Sequence, residues 1–233
     1  RGSIEGPLPL TAARVREWLA GPVSATGIAV NPDSALRLSA VWGCVDLVSR
    51  DVARTPLILY QRSGANRSRA DQHQLYRLLH DSPNVFMTAF TFKQALQGQK
   101  MLRGNAFANI ERDADGNIIA LWPLRADRMA QPILAADGRL LYVYSLPSGE
   151  PRKLTQDDVL HIRGLSLDGI WGYSPIEYHR ETIGVALAYR EYGGRFFGKN
   201  SRPGGVLQTQ KRLSPEAAGR LKTSWEEAHM GLT

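Results

Sequence analysis

The stretch NAFANIERDADGNIIALWPL, residues 105–124, is where the hydrophobic period of this chain changes. Upstream, Phe92, Leu96 and Leu102 recur at helical spacing in TAFTFKQALQGQKMLRGN, with Thr88 or Thr91 as the N-cap. From Gly104 onward the pattern is that of strands, and Asp115-Gly116 in the middle is a hairpin dipeptide. Residues 127–146 repeat the arrangement around Asp137-Gly138, SGEPRKL (148–154) reads as a turn, and DDVLHIRG (157–164) reads as a last strand. An antiparallel β-meander packed beside helices is an α+β arrangement, without the alternating strand and helix of a doubly wound nucleotide-binding sheet.

Upstream, residues 31–56 predict an amphipathic helix whose apolar face is Leu38, Val41, Val45, Val48 and Val52, capped by Asp33 or Ser34 and ended by Pro56. Cys44 sits in that helix and reads as a small core residue. PLILYQR (56–62) reads as a strand, SGANRSRADQ (63–72) as a polar loop, and HQLYRLLHDSP (73–83) as a short helix. The first thirty residues, rich in Pro, Gly and Ala, read as a partly ordered arm with a helical patch at TAARVREWLA (11–20).

Downstream, Ser174 and Pro175 are a cap and a first-turn residue. They open one helix of about 24 residues within 175–200, near 36 Å at 1.5 Å per residue, long enough to project from its domain. Its end, GGRFFGKN (193–200), has the letters of a phosphate-binding loop except for Asn200, where magnesium would need a hydroxyl. A phosphate-binding loop joins a strand to a helix that follows it. Here the letters close a helix, so the glycines read as close-packing positions and Asn200 as a left-handed helix end.

The composition narrows the function further. Twenty-nine Lys+Arg stand against 22 Asp+Glu, a net charge of +7 without a block of like charges. This fits an anionic partner or a merely basic surface. One cysteine can build neither a disulfide nor a zinc cluster. No run approaches the roughly 20 apolar residues of a membrane span, and the start lacks the layout of a signal peptide. The five histidines form no metal-binding pair, and His161 reads as a satisfied core residue. GLSLDG (164–169) is no nucleophile elbow. Asp113, Asp115 and Asn117 lack the other ligands of a calcium loop, and Asp157 and Asp158 read as capping or solvated carboxylates. No catalytic constellation, cofactor site or metal site emerges.

Several stretches taken together closely resemble one family. They are NPDSALRLSAVWGCVDLVSRDVARTPLILYQR (31–62), HQLYRLLHDSPN (73–84), MTAFTFKQALQGQKMLRGNAFANI (87–110), LWPLRADRM (121–129), DDVLHIRGLSLDGIWGYSPIE (157–177) and GGRFFGKNSRPGGVL (193–207). In order and spacing, from about residue 30 to 233, they are similar to the portal proteins of tailed bacteriophages. These are the head–tail connector subunits of the lambda-like, long-tailed morphology.

The resemblance implies a structural subunit without enzymatic activity, forming a ring, usually of twelve copies, at one capsid vertex. Double-stranded DNA would be packaged and ejected through the ring without sequence readout. The terminase large subunit, head–tail adaptors, and major capsid or scaffold proteins would dock on it. The implied location is the virion, and the bacterial host cytoplasm during assembly or as a prophage product.

On this chain residues 1–30 would be the arm, 31–165 the wing, 166–200 the stem helix, and 201–233 the beginning of the clip. The rest of the clip, a second stem helix and the crown of the family are expected beyond this piece. Arg190, Arg195, Lys199, Arg202, Lys211 and Arg212, on or just past the stem helix, are candidates for DNA or subunit contact. Gly184, Gly193 and Gly194 are candidates for close helix approach. Two alternatives stay open: a monomeric basic nucleic-acid-binding domain, and a nucleotide hydrolase using residues 193–200.

Overall fold

A computed structural model describes residues 23–198 and 213–229. A short helix α1 (Pro32–Ala35) precedes α2 (Ser39–Arg54), a hairpin of β1 (Tyr60–Ser63) and β2 (Asn66–Arg69), α3 (Gln74–His80) and α4 (Ala89–Arg103). Then come β3 (Asn105–Arg112), β4 (Ile118–Leu124), β5 (Ile133–Leu134), β6 (Leu140–Ser145), β7 (Pro151–Thr155) and β8 (Val159–Arg163). Three helices follow: α5 (Pro175–Tyr178), α6 (Arg180–Gly198) and α7 (Pro215–His229).

The α+β class is as expected. Besides the two-stranded β1-β2 hairpin, the antiparallel strands form two three-stranded sheets, ordered β4-β3-β8 and β5-β6-β7, because β8 returns to the free edge of β3. β3 is buried on both faces at its start. Ala106 and Ala108 point to one side with Phe92, Leu96 and Leu121, under α4. Phe107 points to the other with Met129, Tyr142, Leu154 and Val159, between the two sheets. The alternation is that of any strand; the small residues face the helix and the large one faces the second sheet.

The Asp115-Gly116 and Asp137-Gly138 turns form as read, with Gly116 at φ 85° and Gly138 at φ 79°. In the first turn Asp113 accepts the amides of Asp115 and Asn117, so the three polar residues serve a hairpin. Thr88 caps α4 by accepting the Thr91 amide.

Other expectations are corrected. The stretch 63–72 is not all loop, since Asn66–Arg69 pairs back on β1. Pro151–Thr155 is a strand, not a turn. Pro151 is tolerated because it opens the strand at the edge of its sheet.

Asn31, not Asp33, caps the short α1 in a reciprocal pair with Ser34, and α2 starts separately after Leu38. α2 turns Ser49 and Ala53 inward, while Val48 and Val52 are exposed. Small residues allow close approach to α4; Val48 and Val52 are left outside, while Val41 packs half-buried against the Val30, Ala35 and Ile176 core. Cys44 is therefore exposed rather than in the core.

The connection from α4 to β3 has no slack. Gly104 is left-handed (φ 76°) and its amide closes α4 on the Lys100 carbonyl. A Cβ there would lie 2.2 Å from the Tyr173 carbonyl oxygen. Gly104→Ala is expected to destabilise the fold well beyond the roughly 1 kcal/mol of a left-handed glycine alone. Gly116→Ala, left-handed but open on its outer side, should cost only that much. Urea unfolding of the two variants measures the difference, and equal losses would contradict the close contact.

Candidate functional site

The region that matters is the root of α6 and what the helix does after it leaves the fold. The root is a backbone contact. The Gly164 amide donates to the Gly104 carbonyl at 2.7 Å, and a Cβ on Gly172 would lie 2.0 Å from the same oxygen. Asn105, 1% exposed, closes the junction with its side chain. Its Nδ2 donates to the Gly172 carbonyl and its Oδ1 accepts the Gly172 amide, both at 2.8 Å.

The same Oδ1 accepts from His161 Nε2 at 3.0 Å, and Tyr142 donates its hydroxyl to His161 Nδ1 at 3.2 Å. A neutral ring with its proton on Nε2 satisfies both partners. Burial, with the nearby Arg163 charge, holds the His161 pKa down to about 4. His161 is thus the satisfied interior residue expected.

The loop leading into α5 is equally fixed. Asp168 accepts the Ile170 and Trp171 amides and the Ser166 hydroxyl, which pulls its pKa to about 2. Ser174 caps α5 through the Glu177 amide, as read, and donates to the Leu102 carbonyl at the end of α4.

The helix expected to run unbroken from 175 is interrupted at His179 (φ −99°, ψ 22°), and α6 begins at Arg180. Its first half is packed. Ile183 and Leu187 join Ile176, Val30 and Ala35 in a common core. Gly184 faces Ser24: a Cβ would lie 2.2 Å from the serine hydroxyl. Its close approach is therefore to the segment before α1. Glu181 accepts the Ala25 amide, and Arg190 donates to the Arg37 carbonyl.

Beyond Leu187 the burial stops. Tyr189, Tyr192, Phe196 and Phe197 are exposed, and nothing among the described residues comes within 4 Å of a Cβ built on Gly193, Gly194 or Gly198. Residues 193–198 are helix, following helix, so the phosphate-loop geometry of a strand turning into a helix start is absent there. Of the six basic candidates, Arg190 and Arg195 lie on α6, the latter paired with Glu191 one turn back. Lys199, Arg202, Lys211 and Arg212 lie outside the described residues, as does Asn200. Among the described residues no group of His, Cys, Asp or Glu could hold a metal ion, and no helix is long and apolar enough to cross a membrane.

The family model for the phage portal protein matches residues 39–233. The chain belongs to that family. It is 32% identical to the portal protein of Enterobacteria phage HK97, over 89% of this chain and 50% of the relative. It is also 32% identical to the probable portal protein of Streptomyces phage phiC31, over 91% of this chain and 48% of the relative. A solved chain from the neck of an empty GTA particle, computed with C6 symmetry, superposes with a TM-score of 0.63 at 26% identity. That superposition covers 86% of this chain and 56% of the other. The portal-family chain thus spans about half the length of the curated relatives it matches.

Sequence reading missed Asn105 and the aromatic row of α6. The aromatic row was written in plain spacing but was obscured by the glycines between.

The His161 network makes a pH prediction. Its folded pKa lies below the model-peptide value of 6.5. The unfolded chain therefore binds more protons between about pH 6.5 and 4, and stability falls as pH falls through that window. His161→Gln is expected to flatten the decline in thermal midpoint between those pH values. An unchanged profile would contradict the neutral, buried assignment.

Proposed function

We propose that this chain is the wing and stem-forming part of a portal subunit, one of a closed ring of identical copies at a capsid vertex through which DNA is packaged and ejected. Family membership over residues 39–233 is the observation that carries this reading. The exposed second half of α6 supports it, since nothing among the described residues covers that half.

Residues 31–165 serve as the wing, the helix within 166–200 as the stem, and 201–233 as the start of the clip. The ring is probed most directly as a dodecamer, the usual number for the family. The terminase large subunit, head–tail adaptors and capsid or scaffold proteins are the expected docking partners. The site of action is the virion, and the host cytoplasm while particles assemble. The role is structural, with no chemical step assigned to any residue.

Arg190, Arg195, Lys199, Arg202, Lys211 and Arg212 supply non-specific phosphate contacts to the sliding duplex or acidic contacts at subunit borders. Such contacts carry no sequence information and weaken with salt. The Arg190 and Arg195 head groups have partners within the chain, the Arg37 carbonyl and Glu191.

The test is native mass spectrometry of the protein expressed from its complete reading frame. A single species at a fixed multiple of about a dozen copies is expected. A monomer across a range of salt concentrations would contradict the reading. It would favour the monomeric nucleic-acid-binding alternative if short duplexes then bound with a steep salt dependence.

A further inference from the structure

The row Val185, Tyr189, Tyr192 and Phe196 is spaced four, three and four residues apart on α6, and all four are exposed. At about 100° per residue the row lies roughly 160° from the buried Ile183–Leu187 face. It therefore points away from the chain's own core. Tyr192 and Phe196 stack, with ring centroids 5.8 Å apart. Alternating four–three spacing is the seam by which one helix meets another, each knob entering a hole on the facing helix. Three exposed aromatic rings on one helix present roughly a few hundred Å² of apolar surface, the size at which a patch marks an interface.

We propose that Tyr189, Tyr192 and Phe196 dock on a second copy of this chain, against the Gly194–Gly198 side of that copy's α6. The row carries no cation, so a phosphate backbone is a poor occupant. The opposite side of the same helix, beyond Leu187, carries Gly194 and Gly198, where a Cβ would meet nothing among the described residues. A bulky ridge on one side and a bare side opposite make a heterologous contact. Repeated about an axis, such a contact closes a ring; a self-matching contact would stop at a dimer. This rests on the ring reading above and adds to it which faces meet.

The experiment is oxidative crosslinking of the complete product. Cys44, exposed, is first replaced (Cys44→Ser). Tyr192→Cys and Gly194→Cys are then introduced together and singly; both positions are exposed, so folding should be retained. The double variant is expected to shift from monomer to a ladder of covalent oligomers that ends at the ring, while each single variant gives no ladder. A dimer from Tyr192→Cys alone would overturn the proposal by showing a self-matching contact. Rings of normal native mass without a ladder from the double variant would also overturn it, while leaving the ring reading intact. A Cys44→Ser parent that forms no ring would overturn both.

Discussion

The backbone of Gly104 lies against the backbone of Gly172 and Tyr173 with no space for a Cβ. The strap that leads into α5 and α6 starts from that approach. An interior of packed side chains tolerates small adjustments, but two backbones in contact have none to offer. The buried peptide groups at such a contact must also be satisfied. Asn105 does this by pairing its amide side chain with both the N–H and C=O of Gly172. His161 and Tyr142 then hold Asn105 from behind.

The contact joins three parts of the molecule at one point: the end of α4, the start of β3, and the strap from β8 to α5. β3 is locked between α4 and the second sheet by its alternating small and large residues. The strap therefore leaves a fixed base, and Ser174 ties its far end to α4 again. A helix launched from so rigid a root suits a part that must keep its angle within a symmetric assembly. Its packed half ends at Leu187, and the remainder presents aromatic rings on one side and glycines on the other.

Much of this was legible. The Asp-Gly turns, the Thr88 and Ser174 caps and the change of period at Gly104 are local signals, and local physics settled them. The family was legible too, because its stretches keep their order along most of the chain. The facing of α2 was not: Val41, Val45, Val48 and Val52 form the stronger apolar stripe, but α4 approaches over Ser49 and Ala53 because they are small. Periodicity finds a face without saying which partner covers it. The break at His179 has no proline or glycine to announce it. Asn105 gave no signal as a junction residue, since its partners lie 56 and 67 residues away in sequence.

The central claim is that α6 is completed by other copies of the chain. Electron cryomicroscopy of the protein expressed from its complete reading frame tests it most directly. The account predicts a closed, rotationally symmetric ring in which Tyr189, Tyr192 and Phe196 of each copy are buried against the next. Single, unassociated subunits, or a ring in which those three rings face solvent, would contradict it.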